Sequence, residues 1–107
     1  MTNELSFTDI EVQIEDYTFL ITHAYKTGGS EHFYLQIKNG SICLLKLYDD
    51  VFRLNLFAYG SSPKSEKSTV YALNDRKDFL IKLYSTIRNH PSIRLKLLHS
   101  FGPMKQY

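Results

Sequence analysis

Apolar and polar residues alternate along the first half of the chain and recur at helical spacing in the second. Ile10, Val12 and Ile14 alternate with Glu11, Gln13 and Glu15, the two-residue period of a strand with one buried face. Glu15 and Asp16 then turn the chain into a longer strand from Tyr17 to about Tyr25, and KTGGSE, with Gly28 and Gly29, reads as a loop. HFYLQIK and SICLLKLY flank Asn39-Gly40, whose residues both tolerate the positive φ of a type I′ turn, so a hairpin is expected there. Asp49-Asp50 makes the next turn, into VFRLNLFAY. GSSPKSEKS reads as a nine-residue loop and TVYAL as a short last strand.

From Asn74 the period changes. NDRKDFLIKLYSTIRNHP brings Leu80, Leu83, Tyr84 and Ile87 onto one helical face, with Phe79 beside them. Asn74 or Asp75 is placed to cap a helix from about Asp75 to Asn89, Asp78 lies in its first turn, and Pro91 ends it or begins another. SIRLKLLHSF alternates like a strand through Ile93, Leu95 and Leu97, yet Ile93, Leu97, Leu98 and Phe101 would also line a helix, the favoured reading. The fold class that follows is α+β: an antiparallel β-meander of five to six strands, one apolar face packed by a C-terminal helix, and a second short helix. The 107 residues suit a single domain, with 1–8 and 103–107 expected to be flexible ends.

Sorting the strands by alternation separates two faces. Phe33, Leu35, Ile37, Cys43, Leu45, Leu47, Phe52, Leu54, Leu56 and Ala58 form an aliphatic face suited to the helix. Opposite them stand His32, Tyr34, Gln36 and Lys38, then Ile42, Leu44, Lys46 and Tyr48, then Arg53, Asn55, Phe57 and Tyr59. Rings that stack on bases, interleaved with cations that neutralise phosphates, are the chemistry of single-stranded nucleic-acid binding. The candidate binding residues are therefore Tyr34, Lys38, Lys46, Tyr48, Arg53, Phe57 and Tyr59, with the path extended by the loop lysines Lys64 and Lys67.

Charge is divided along the chain. Residues 1–60 hold four basic and eight acidic side chains, net −4, and residues 61–107 hold nine against three, net +6. A basic surface built mainly by the second half is expected, suited to an anionic partner. No apolar stretch reaches the length of a membrane span, and the N-terminus lacks a basic leader and an apolar signal core, so no membrane partner and a cytoplasmic location are expected. Cys43, the single cysteine, fits core packing in a reducing compartment. No phosphate loop, nucleophile elbow or paired-cysteine metal motif appears, so neither an enzyme nor a cofactor is expected. His23 and His32 facing one another across two strands, beside Glu31, are the one arrangement that would approach a metal site.

VFRLNLFAYGSSPKSEKSTVYALNDRKDFLIKLYSTIRNH runs from an aromatic-ended strand through a basic loop and a short strand ending in Leu-Asn to an amphipathic helix. Over residues 51–90 this resembles the positive-cofactor-type transcriptional coactivators, relatives of the Whirly and Pur-alpha folds. The resemblance implies a curved antiparallel sheet, dimerisation involving the helices, and single-stranded DNA lying across the sheet. By that likeness Arg53, Phe57, Tyr59, Lys64 and Lys67 fall in the binding strand and loop. A pleckstrin-homology-like barrel, also a meander closed by a helix, fits the element order too and implies a protein- or lipid-headgroup-binding adaptor. Two partner classes follow: single-stranded DNA or RNA, or a protein bound by a small inhibitor or adaptor of phage or mobile-element type. In the second case the acidic cluster Glu11, Glu15 and Asp16 would meet a basic partner. A homodimer is a further expectation, from edge strands and a helix with aromatic residues.

Overall fold

The structure, a computed structural model, describes residues 3–38, 40, 42–48, 53–60 and 64–100. The alternating half forms β1 (Asn3–Ile14), β2 (Tyr17–Thr27), β3 (Ser30–Ile37), β4 (Ile42–Leu47) and β5 (Leu54–Ala58). These strands pair antiparallel in chain order, and β1 and β5 are the edges of an open sheet. Three helices follow, α1 (Lys64–Asn74), α2 (Lys77–Asn89) and α3 (Pro91–Ser100). The expected α+β meander is observed, with five strands among the described residues.

The helices bury the aliphatic face. α2 inserts Phe79, Leu80, Leu83, Tyr84 and Ile87, while α1 adds Val70 and Leu73 and α3 adds Ile93 and Leu97. Beneath them lie Phe19, Ile21, Phe33, Leu35, Leu45 and Leu56, each at most 1% exposed. Cys43 is buried in the same core, which pushes its thiol pKa up to about 12 and suits packing rather than reactivity.

Several local expectations are corrected. Residues 3–8 are not a loose end: they belong to β1, and Phe7 is buried. TVYAL is not a strand, nor is KSEKS a loop, because both lie in α1. The β-branched residues suggested a strand, but Val70 and Leu73, three apart, reach the core on one helical face, and tertiary burial outweighs weak propensity. Neither Asn74 nor Asp75 caps α2. Arg76 occupies that position without a side-chain cap bond, and Asn74 Oδ1 instead accepts the Leu56 N–H of β5 at 2.7 Å. At the β3–β4 hairpin the Gly40 N–H donates to the Ile37 carbonyl at 2.8 Å. Asn39, the Asp49-Asp50 turn, Phe52, Phe101 and the 103–107 tail lie outside the described residues, as does the Leu98 side chain.

Helix side chains also protect the sheet edges. On β5, Asn74 satisfies Leu56 and the Lys77 ammonium donates to the Leu54 carbonyl at 2.8 Å; on β1, Lys96 donates to the Ser6 carbonyl at 3.1 Å. Such bonds occupy backbone groups that an edge would otherwise offer to another chain.

Candidate nucleic-acid interface

The other face of the sheet carries no helix. Cross-strand pairing arranges its side chains in rows. One row runs Asn55, Lys46, His32, Tyr25, and the next runs Phe57, Leu44, Tyr34, His23. A third begins at Tyr59, whose N–H donates to the Ile42 carbonyl at 2.9 Å, and continues through Gln36 and Leu20 to Glu11.

The rings on this face fall into two groups. Near β2, Tyr34 stacks flat on His23 with centroids 4.1 Å apart, and Tyr25 on His32 at 4.2 Å. Tyr25 and Tyr34 are themselves stacked at 5.8 Å. A hydrogen bond with Tyr25, and then burial, raise the Tyr34 phenol to about 12, so its hydroxyl stays protonated near neutral pH. His32 is only 5% exposed, and neither ring nitrogen has a hydrogen-bond partner. Burial, and then the Lys46 charge, lower its pKa, so the imidazole is held neutral. Near β5 the rings are open instead. Phe57 is 43% and Tyr59 50% exposed, with Ile42 at 45% between β3 and β5, and Tyr59 meets Tyr34 only edge-on.

Cations stand on the same face. The Lys46 ammonium lies 4.4 Å and the Arg53 guanidinium 5.2 Å from the Tyr48 ring centroid, so one ring gathers two positive charges. Lys38 is exposed at the end of β3. Of the residues expected to bind, Tyr34, Lys38, Lys46, Tyr48, Arg53, Phe57 and Tyr59 therefore share this side of the sheet. Lys64 and Lys67 do not extend it as loop residues: they sit in the first turns of α1, whose Val70 and Leu73 pack into the opposite layer.

Tyr25 and His23 were not legible as members of the array, whereas alternation had already placed His32 there. Strict alternation from Phe19 and Ile21 would put His23 and Tyr25 in the core. A bulge at Thr22 shifts the register, Ala24 takes the next core position, and His23 and Tyr25 turn to the open face. The Thr22 hydroxyl donates to the Tyr34 carbonyl at 3.1 Å, holding the bulge. A threonine between apolar positions three residues apart, Ile21 and Ala24, was the available signal. The same bulge removes the expected facing of His23 and His32, since His23 pairs with Tyr34 and His32 with Tyr25. Among the described residues no three His, Cys, Asp or Glu side chains come together as a metal site, and no helix is long and apolar enough to cross a membrane.

Part of the basic second half is structural. Arg76 binds Glu15 through two bonds of 2.8 and 2.6 Å, Lys77 and Lys96 cap strand edges, and Arg88 is buried 3.6 Å from Glu31. Each ties a helix to the sheet. Four of the nine basic residues of the second half thus dock the helices on the sheet, behind the open face. No protein-family model matches the sequence, and neither the curated proteins nor the solved structures yield a match to it.

Proposed function

We propose that the open face binds single-stranded DNA or RNA without chemical turnover, with bases stacked on Phe57 and Tyr59. The observation that carries this reading is the exposure of these two rings on a bare sheet whose same face carries Lys46 and Arg53, gathered on Tyr48. A planar, solvent-facing ring accepts any base, and adjacent cations neutralise the connecting phosphates. The stacked Tyr25, His32, Tyr34 and His23 rings form the rigid floor of this platform, since their faces already cover one another.

Fluorescence anisotropy with a labelled single-stranded oligonucleotide, against a duplex control at low and physiological salt, tests the reading. Binding to the single strand is expected to weaken as salt rises. Tyr59→Ala and Phe57→Ala should each weaken it by about 1–3 kcal/mol, and Lys46→Gln should lower the salt slope by about one. Variants that bind as tightly as the parent remove this face from consideration. A second reading rests on Ile42, which with Leu44 and Phe57 makes an apolar corner suited to a protein partner. A salt-insensitive complex with a protein, and none with nucleic acid, selects that reading instead.

A further inference from the structure

The third row of the open face ends in a groove that base stacking does not use. Its volume is about 160 Å³, the space of roughly five water molecules, and it is lined by Glu11, Thr18, Leu20, Gln36 and Lys38. Leu20 stands between Glu11 on β1 and Gln36 on β3, and the Lys38 backbone N–H donates to the Thr18 carbonyl beside them at 2.9 Å. The groove is therefore a trough with Leu20 and Thr18 as its floor, Glu11 as one wall, and Gln36 and Lys38 as the other. Its walls lie two strand spacings apart, about 10 Å. Ile42 links Gln36 to Tyr59 in the same row, so a strand stacked on Tyr59 passes over the trough within about 10 Å.

The donors and acceptors of the walls differ. A carboxylate only accepts, and its charge repels phosphate, so the Glu11 side suits the donor edge of a base. Lys38 only donates and suits the phosphate on the opposite side. Gln36 and Thr18 can both donate and accept, and Leu20 offers an apolar surface for a ring.

Building on the single-strand reading, we propose that this trough is a base-reading subsite for an amino-bearing pyrimidine, cytosine, with Glu11 accepting from its exocyclic amine. Gln36 and Thr18 serve the ring carbonyl and nitrogen. Thymine presents a carbonyl oxygen where cytosine has its amine, and that oxygen would face the carboxylate. The platform then supplies affinity, and the trough supplies base preference.

The test compares labelled oligocytidylate and oligothymidylate near neutral pH, on the full chain and on Glu11→Gln and Gln36→Ala. Both positions are exposed, so thermal melts should match the parent. The parent is expected to prefer cytosine roughly tenfold, the discrimination of one good base-edge contact. In Glu11→Gln the preference should collapse through tighter thymine and weaker cytosine binding, while Tyr59→Ala should weaken both oligomers alike. Equal binding of the two oligomers by the parent, still dependent on Tyr59, overturns the subsite and leaves the platform standing. A thymine preference overturns it as well. Failure of both oligomers to bind removes the platform and the subsite together.

Discussion

The two faces of one sheet pack their rings differently. On the covered face Phe33 meets Tyr84 at an interplanar angle of 72°, Tyr17 meets Phe79 at 86°, and Phe19 meets Phe79 at 57°. On the open face the rings of Tyr34 and His23 lie within 13° of parallel, and those of Tyr25 and His32 within 9°. Tilted rings interlock with side chains from a second layer and fill volume. Parallel rings standing on a bare sheet cover their neighbours and leave an edge or a face to solvent. The covered face is thus committed to folding, and the open face retains rings that folding does not consume. The sharpest way to break this contrast is to delete one ring from each side. Phe33→Ala, from a fully buried site, should cost about 3–5 kcal/mol in urea unfolding. Tyr59→Ala, from a half-exposed one, should cost no more than about 0.5 kcal/mol while weakening single-strand binding. Comparable stability losses would place Tyr59 in the fold rather than on a platform.

Charge separates the layers in the same way. Glu31 and Arg88 are a buried pair, with side chains 5% and 3% exposed, and the Tyr84 hydroxyl donates to Glu31 at 3.0 Å. At 3.6 Å the pair is longer than a charge-assisted hydrogen bond, and Arg88 Nε and Nη1 have no hydrogen-bond partner. Removing one member leaves the other buried and uncompensated, so Glu31→Leu should destabilise by about 3–5 kcal/mol. The double variant Glu31→Leu/Arg88→Met should recover most of that loss, because apolar replacement of both members removes the desolvation cost. A double variant as unstable as the single one would show that the pair itself, rather than its breaking, sets the stability.

The covered face was readable because its signal is redundant. Ile10, Val12 and Ile14 in one strand, Phe33, Leu35 and Ile37 in another, and Leu80, Leu83 and Ile87 in α2 each repeat a period. One period fixes a face even when the turns are misplaced. α1 was misread because a helix with, among the described residues, only Val70 and Leu73 in the core leaves too few positions to show a period. Asn74 was misread because its role, holding a β5 amide from the end of α1, joins residues 18 apart in sequence. On the open face the alternation placed Tyr34, Phe57 and Tyr59 correctly. Tyr25 escaped because one inserted residue, Thr22, inverts every later position of β2. The helical cations pointed the wrong way, since a count of charge does not say which side chains are spent in tying helices to strands.

His32 gives a smaller and pH-dependent contrast, being buried although it belongs to the open face. Its pKa lies below the ordinary 6.5 in the folded protein. The unfolded chain takes up a proton near pH 6.5 that the folded chain refuses, so this contribution to stability is complete above that value. It is lost as pH falls from 6.5 through the lowered folded-state value, at no more than about 1.4 kcal/mol per pH unit. His32→Phe keeps a flat ring against Tyr25 and removes the titration. Urea unfolding at about pH 7.5 and pH 5 should show a larger loss in the parent than in the variant. Parallel losses would mean that His32 is protonated in the folded state as readily as in the unfolded one.

The smallest effect expected lies where the two layers meet at the β1–β2 turn. Glu15 stands at φ 56°, a region unfavourable to a side chain, and its carboxylate is held by Arg76, which also bonds Asp78 at 3.2 Å. Glu15→Gly would relieve the backbone and lose the ion pair at once, so the two effects oppose one another. They separate in an Arg76→Leu background, where no pair remains to lose. There Glu15→Gly should raise the melting temperature by a few degrees, and in the parent background it should change little. Acid gives an independent check. Hydrogen bonds from Arg76 lower the pKa of Glu15 below 4.5 and that of Asp78 below 3.8. Their contribution is therefore present above those values and lost as pH falls through the lowered ones. The parent should lose more melting temperature than Arg76→Leu on acidification through this range. If Glu15→Gly instead destabilises both backgrounds equally, Arg76 is not what holds Glu15 in its left-handed conformation, and the turn is fixed by the strand pairing of Ile14 with Tyr17 alone.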